Sequence, residues 1–91
     1  MRYKSYKLTA YIMEGKGLTP FSLDISPPKK MTPEDDFACT VRAPRLLKGN
    51  KLILGVDQDQ ARELAFSFVK ALLEGKTLVD GKKNPIRLPD K

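Results

Sequence analysis

Residues 3–13 alternate. Tyr6, Leu8, Ala10 and Ile12 fall on one side of an extended chain, and Tyr3, Ser5, Lys7, Thr9, Tyr11 and Met13 on the other. That is the pattern of a strand with one buried face. Glu14-Gly15-Lys16-Gly17 follows, and its two glycines mark a hairpin turn. Residues 18–26 alternate again, with Phe21, Leu23 and Ile25 inward and Ser22 and Asp24 outward. Pro20 has no amide donor, so this strand is expected to be a sheet edge at that point. Residues 27–36 hold Pro27, Pro28 and Pro33 and read as a stiff, extended connection. A third strand is predicted over 37–43. Phe37, Cys39 and Val41 lie on one face and Ala38, Thr40 and Arg42 on the other, with Pro44 ending it. Lys48-Gly49-Asn50 turns the chain into a fourth strand, 51–56.

The pattern then changes period. Residues 57–75 form an amphipathic helix with Asp57 as N-cap, Gln60 at the capping-box position, Asp59 near the positive end of the helix dipole, and Gly75 as the stop. Ala61, Leu64, Ala65, Phe68 and Leu72 make its central apolar stripe, widened on one side by Phe66, Val69 and Leu73. Asp59, Glu63, Ser67, Lys70 and Glu74 are the polar face. The apolar arc covers about half the circumference or more, wider than one sheet contact needs. A further element is therefore expected over Phe66 and Leu73. Residues 77–91, with Leu78-Val79, an Asp80-Gly81 turn and Ile86-Arg87-Leu88, are the favoured cover; a second copy of the chain is the alternative.

The elements predict an α+β fold: a four-stranded, mostly antiparallel meander covered on one face by one C-terminal helix (ββββα), with 77–91 as an appendage. The 91 residues make a single domain, 1–91. A chain this short buries only about 60–65% of its unfolded surface, so its core is thin.

Three segments together resemble a family of short bacterial proteins of unknown function. They are Pro33-Glu34-Asp35-Asp36-Phe37-Ala38-Cys39, Gly55-Val56-Asp57-Gln58-Asp59-Gln60-Ala61 and the ending Ile86-Arg87-Leu88-Pro89. The family's pattern is an acidic turn, an aromatic-x-Cys strand and a Gly-Val-Asp-x-x-Gln-Ala junction that opens a helix. Phe37 stands where the family would carry tryptophan, and this chain is more basic. The resemblance implies a bacterial cytoplasmic protein and implies no activity.

Composition narrows the chemistry. There is no histidine, which removes Ser-His and Cys-His nucleophile pairs and the commonest zinc ligand. Cys39 is the one cysteine, so no internal disulfide and no structural zinc site forms, and a reducing cytoplasm fits. Its alternation with Phe37 and Val41 makes it a small core hydrophobe rather than a reactive thiol. Gly15 and Gly17 open no helix, so they fail as a dinucleotide fingerprint. Asp35-Asp36 reads as a solvated turn in preference to a cation site, because adjacent carboxylates point apart and no third ligand is near. Gly55, just ahead of a helix, reads as room for close packing more than as an anion site, since two aspartates stand there. No catalytic, metal or cofactor residue is expected. The first seven residues are basic without an apolar run behind them, unlike a signal peptide, and no stretch is apolar enough for a membrane span.

Seventeen Lys and Arg against eleven Asp and Glu give a net charge of +6. The excess gathers weakly at Lys29-Lys30, over 42–51 and at Lys82-Lys83, which suits either an anionic partner or a plainly soluble surface. The outward sheet face interleaves aromatics and cations. Tyr3, Lys7, Tyr11 and Arg42 form the candidate ligand face, with Thr9 and Thr40 between them, against the plainer reading of a solvated sheet. The element order is similar to that of single-strand-binding proteins of the transcriptional-coactivator type, a likeness of fold alone. The expected role is a small non-catalytic binding or accessory module, its partner an unknown protein or a second copy. Single-stranded nucleic-acid binding through the open sheet face is the alternative, and catalysis is a distant third.

Overall fold

The computed structural model describes residues 3–31 and 36–89. Among these described residues, six strands and one helix follow in the order β1 (Tyr6–Glu14), β2 (Gly17–Ile25), β3 (Lys29–Lys30), β4 (Phe37–Arg42), β5 (Lys51–Gly55), α1 (Gln58–Leu72) and β6 (Thr77–Val79). The fold is α+β with an antiparallel sheet, but six strands replace the expected four. The two extra strands are short. β3 is a pair of lysines and β6 is three residues long, so neither gives a legible alternation.

β1 and β2 form a hairpin from Tyr6↔Ile25 to Glu14↔Gly17, turned at Gly15, whose positive φ of 58° suits glycine. β4 then pairs on both sides. Phe37 faces Lys30 on one side and Gly55 on the other, and Val41 faces Ile25 and Lys51. β2 and β3 thus share one edge of β4, and β5 holds the other. Between them the register slips by one residue at Pro27-Pro28, where a β-bulge accommodates two residues that lack amide donors. Ser26 anchors the slip: its amide donates to Thr40 O at 2.9 Å, and Thr40 N donates to Ser26 Oγ at 2.8 Å. β4 meets β2 only at Asp24 and Ile25, which leaves Pro20 on an open edge, as expected from its missing donor.

The helix begins where the sequence places it. Asp57 accepts from Gln60 N at 2.7 Å, and Gln60 Oε1 accepts from Val56 N at 2.8 Å, a capping box shifted back by one residue. The helix ends at Leu72, and Gly75 supplies the left-handed residue of the exit, with φ 80°. Its rotation differs from the expected stripe. Ala61 and Ala65 are buried as expected, but so are Arg62, Phe66 and Val69, while Phe68 and Leu72 are half-buried and Leu64 is 42% exposed. Close approach at Gly55 fixes this. A Cβ there would lie 2.8 Å from Ala61 Cα and nearer still to Ala61 N, so the first turn rests directly on β5.

Phe66 needs no extra cover: Tyr6 of β1 meets its ring edge-on at 5.2 Å between centroids. The tail does pack, as expected, but as sheet and not as an appendage. β6 adds to β1 from Tyr11↔Val79 to Met13↔Thr77, and Ile86 N donates to Leu78 O at 2.9 Å after a turn built on Asp80. That carboxylate accepts from Asn84 N at 3.0 Å and Lys82 N at 2.8 Å, and these bonds hold it below the usual carboxylate range. Ile86 and Leu88 then reach the core beside Leu73.

The rotation is testable by chemical denaturation. Phe66→Ala is expected to cost about 3–5 kcal/mol, a large share of the stability of so small a domain. In protein dilute enough to be monomeric, Leu64→Ala is expected to cost about 0.5 kcal/mol or less. The reverse order would mean that the helix lies on the Leu64 stripe.

Candidate interaction surface

The only buried polar or charged residue among those described is Arg62, 5% exposed. Its Nη1 donates to Ser26 O at 2.8 Å and more weakly to Ile25 O at 3.5 Å, and its Nη2 donates to Lys4 O at 2.7 Å. The guanidinium lies 5.4 Å from the Phe66 ring centroid and 5.6 Å from that of Tyr3. Its Nε has no hydrogen-bond partner of normal geometry among the described residues. Cys39 is fully buried beside this cation. Burial pushes its thiol up from the ordinary value, and the charge and hydrogen bonding of Arg62 oppose that only in part. A buried, protonated thiol is a poor nucleophile. The Arg62–Cys39 pair is therefore a structural knot between helix and sheet.

The four residues of the candidate ligand face do not assemble. Tyr3 precedes β1 and turns toward the helix, where its hydroxyl donates to Asp59 Oδ1. Lys7 and Arg42 do share a row across the outer face, but Asp24 stands between them, opposite Lys7 on one side and Arg42 on the other. Cross-strand neighbours lie about 5 Å apart at Cβ, so this carboxylate offsets the two cations that were to attract an anion. A shallow depression at this row is lined by Lys7, Thr9, Ser22, Asp24, Arg42 and Pro44. Tyr11 is four residues further along β1, about 13 Å away. It sits between Pro20 and Val79, its ring close to Gly81 of the tail turn. Asp35 lies outside the described residues. Asp36 is exposed, and its carbonyl accepts from Met31 N at 2.9 Å.

A different surface stands out on β5. Leu52 is 53% exposed, Leu54 58% and Val56, just beyond the strand, 65%. All three point away from the helix, and Leu52 and Leu54 share the outer face with Thr40 and Ala38. The sequence carried a signal for this. The run Leu52-Ile53-Leu54-Gly55-Val56 is apolar on both faces, which is the composition of a strand covered on both sides. The helix covers one side only.

β5 is also an unguarded edge. Thr40 spends its N–H and C=O on Ser26, so in the β4–β5 ladder Thr40 and Leu52 face each other without bonding. The main-chain groups of Leu52, and by alternation those of Leu54, point outward, away from β4. Among the described residues β5 pairs only with β4. At its far end Gln60 Oε1 already holds Val56 N. Among the described residues no three of His, Cys, Asp or Glu come together as a metal site needs, and no helix is long and apolar enough to cross a membrane.

Two expected outcomes follow from the knot. A thiol reagent should label Cys39 slowly in the folded protein and rapidly in denaturant; fast native labelling would place the thiol at the surface. Arg62→Lys keeps the charge but loses the fork that spans helix, β2 and Lys4, and it should destabilise by about 1.5–3 kcal/mol in equilibrium unfolding. A neutral result would mean that the three carbonyls are satisfied without it.

Compared with family models, with curated proteins and with solved structures, the chain returns no match.

Proposed function

We propose that this chain is a small, non-catalytic binding module of the bacterial cytoplasm that acts through protein–protein contact at β5. One observation carries the reading: the consecutive outward side chains Leu52, Leu54 and Val56 are all apolar and all more than half exposed, on a strand whose edge is open. Contiguous exposed apolar surface on a soluble domain marks a contact site. The non-catalytic part is supported by a chain without histidine whose single thiol is sealed and protonated. The bacterial cytoplasmic setting is the expectation drawn from the resemblance of segments 33–39, 55–61 and 86–89 to short bacterial proteins.

Single-stranded nucleic-acid binding is the second reading. It retains Lys7 and Arg42 in one row but has Asp24 between them and Tyr3 elsewhere.

A photo-reactive amino acid placed at Leu54 tests the first reading in cells, with the same group at exposed Lys16 as control. Protein adducts are expected from position 54 and not from 16. If position 54 gives none, and the purified protein retains single-stranded oligonucleotides at low salt in a way that Lys7→Ala or Arg42→Ala weakens, the nucleic-acid reading replaces it.

A further inference from the structure

The β5 and β6 edges of the sheet are treated differently. At the β6 edge the chain folds back on itself: Val79 bridges to Pro85, which has no donor, and Ile86 bonds Leu78. Proline and a covering loop are standard protection against edge-to-edge pairing. The β5 edge has neither proline nor bulge, and its exposed side chains are leucine and valine. Such an edge is a template for another strand.

The strand is self-complementary. Lys48 and Lys51 stand at the start of β5, and Asp57 and Asp59 just past its end. Antiparallel pairing with a second β5 sets each basic end against the acidic end of the other copy, whereas parallel pairing sets like against like. The open main-chain groups also match. Leu52 and Leu54 carry the outward N–H and C=O groups, and Val56 N is already held by Gln60. A two-fold axis through Ile53 places Leu52 opposite Leu54 of the other copy, twice. All the outward donors and acceptors of these two residues are then paired, and Gln60 stays in place. An axis through Leu54 would instead set the Leu52 carbonyl against the occupied Val56 amide.

The helix leaves room for the seam. The Arg62 side of α1 faces β2 and Lys4, so its opposite flank, with Leu64 and Phe68, leans toward the free edge. Leu64 is about one turn beyond Ala61, which rests on Gly55. Those three residues rise about 4.5 Å, which carries it back along β5 by about one and a half residues, to a level between Leu54 and Ile53. With strands about 4.8 Å apart and each helix above β4 and β5, the two helices would lie about 10 Å apart, a normal packing distance.

We infer that β5 pairs antiparallel with β5 of a second copy of this chain, about a two-fold axis at Ile53, so that two sheets join and the Leu64 flanks of both helices meet over the seam. This rests on the reading of β5 as a protein-contact site and names the partner. The interface is isologous, with each residue meeting its symmetry counterpart.

The test uses the full chain. Sedimentation over a concentration series should show a dimer, and Leu54→Lys should weaken it about a hundredfold or more, because a lysine in each copy then enters the seam. Residue 54 is exposed, so the variant should keep its fold; circular dichroism checks this. In a Cys39→Ala background, mild oxidation should cross-link Ile53→Cys alone and the Leu52→Cys/Leu54→Cys double variant, but not Leu54→Cys alone. A dimer that survives Leu54→Lys in folded protein, or one cross-linked by Leu54→Cys and not by Ile53→Cys, overturns the proposed seam. Should Leu54→Lys fail to fold, the cross-linking pattern decides. A purely monomeric protein that gives no Ile53→Cys cross-link also overturns self-pairing. If photo-adducts at position 54 persist in that case, the contact surface stands with a different protein as occupant; if they too are absent, both readings fail.

Discussion

Burying a guanidinium inside a thin core is expensive unless its donors are met, and Arg62 meets those of Nη1 and Nη2 with three main-chain carbonyls: Ile25 and Ser26 at the end of β2, and Lys4 ahead of β1. Those carbonyls belong to a strand end and to the chain entering β1, where ladder partners run short. One side chain therefore closes the open end of the β1–β2 hairpin and attaches the helix to it. The rotation of α1 follows. With Arg62 turned to β2, Phe66 and Val69 point into the sheet, Cys39 is sealed beneath the cation, and Leu64 is carried to the opposite flank. Gly55 supplies the second constraint, because only a residue without Cβ lets Ala61 rest on the strand. The two contacts lie one residue apart on the helix and together fix how it sits.

Much of this frame is legible along the chain. The alternation of residues 6–12, 21–25 and 37–41 places their inward faces correctly, and Asp57, Gln60 and Gly75 mark the helix ends because capping is local chemistry. What is not legible depends on distant partners. Lys29-Lys30 becomes a strand only because β4 runs beside it past the Pro27-Pro28 bulge, and Thr77–Val79 only because β1 leaves an edge free. The helix stripe was ambiguous because its apolar arc is so wide, and the residue that resolves it is an arginine, which no hydrophobic pattern selects. Tyr3 shows the same limit from the other direction. Its parity puts it on the outer face, yet strand pairing begins at Tyr6, so parity carries no information there.

Residue types alone place Tyr3, Lys7, Tyr11 and Arg42 on one side of the sheet. Pairing shows why the types were insufficient. Lys7 and Arg42 are brought into one row by two separate registers, and the same registers insert Asp24 between them. A sequence reader sees two cations and an aspartate many residues apart; only the ladder makes them neighbours. Tyr11 is similarly drawn away from the row by the tail turn that packs near its ring.

The outer face of β1, β2 and β4 is mostly polar and stands in water without cost, as the open face of an antiparallel sheet does. β5 departs from that rule. Leu52, Leu54 and Val56 contribute little to the core, since more than half of each remains in solvent. Strand propensity does not require them either, because threonine or tyrosine would serve an extended backbone as well. Among the described residues the fold thus gives no reason for three apolar side chains in succession on this unprotected edge. The proposed partner strand would account for their identity, because its arrival would cover the side chains and the open main-chain groups in the same step.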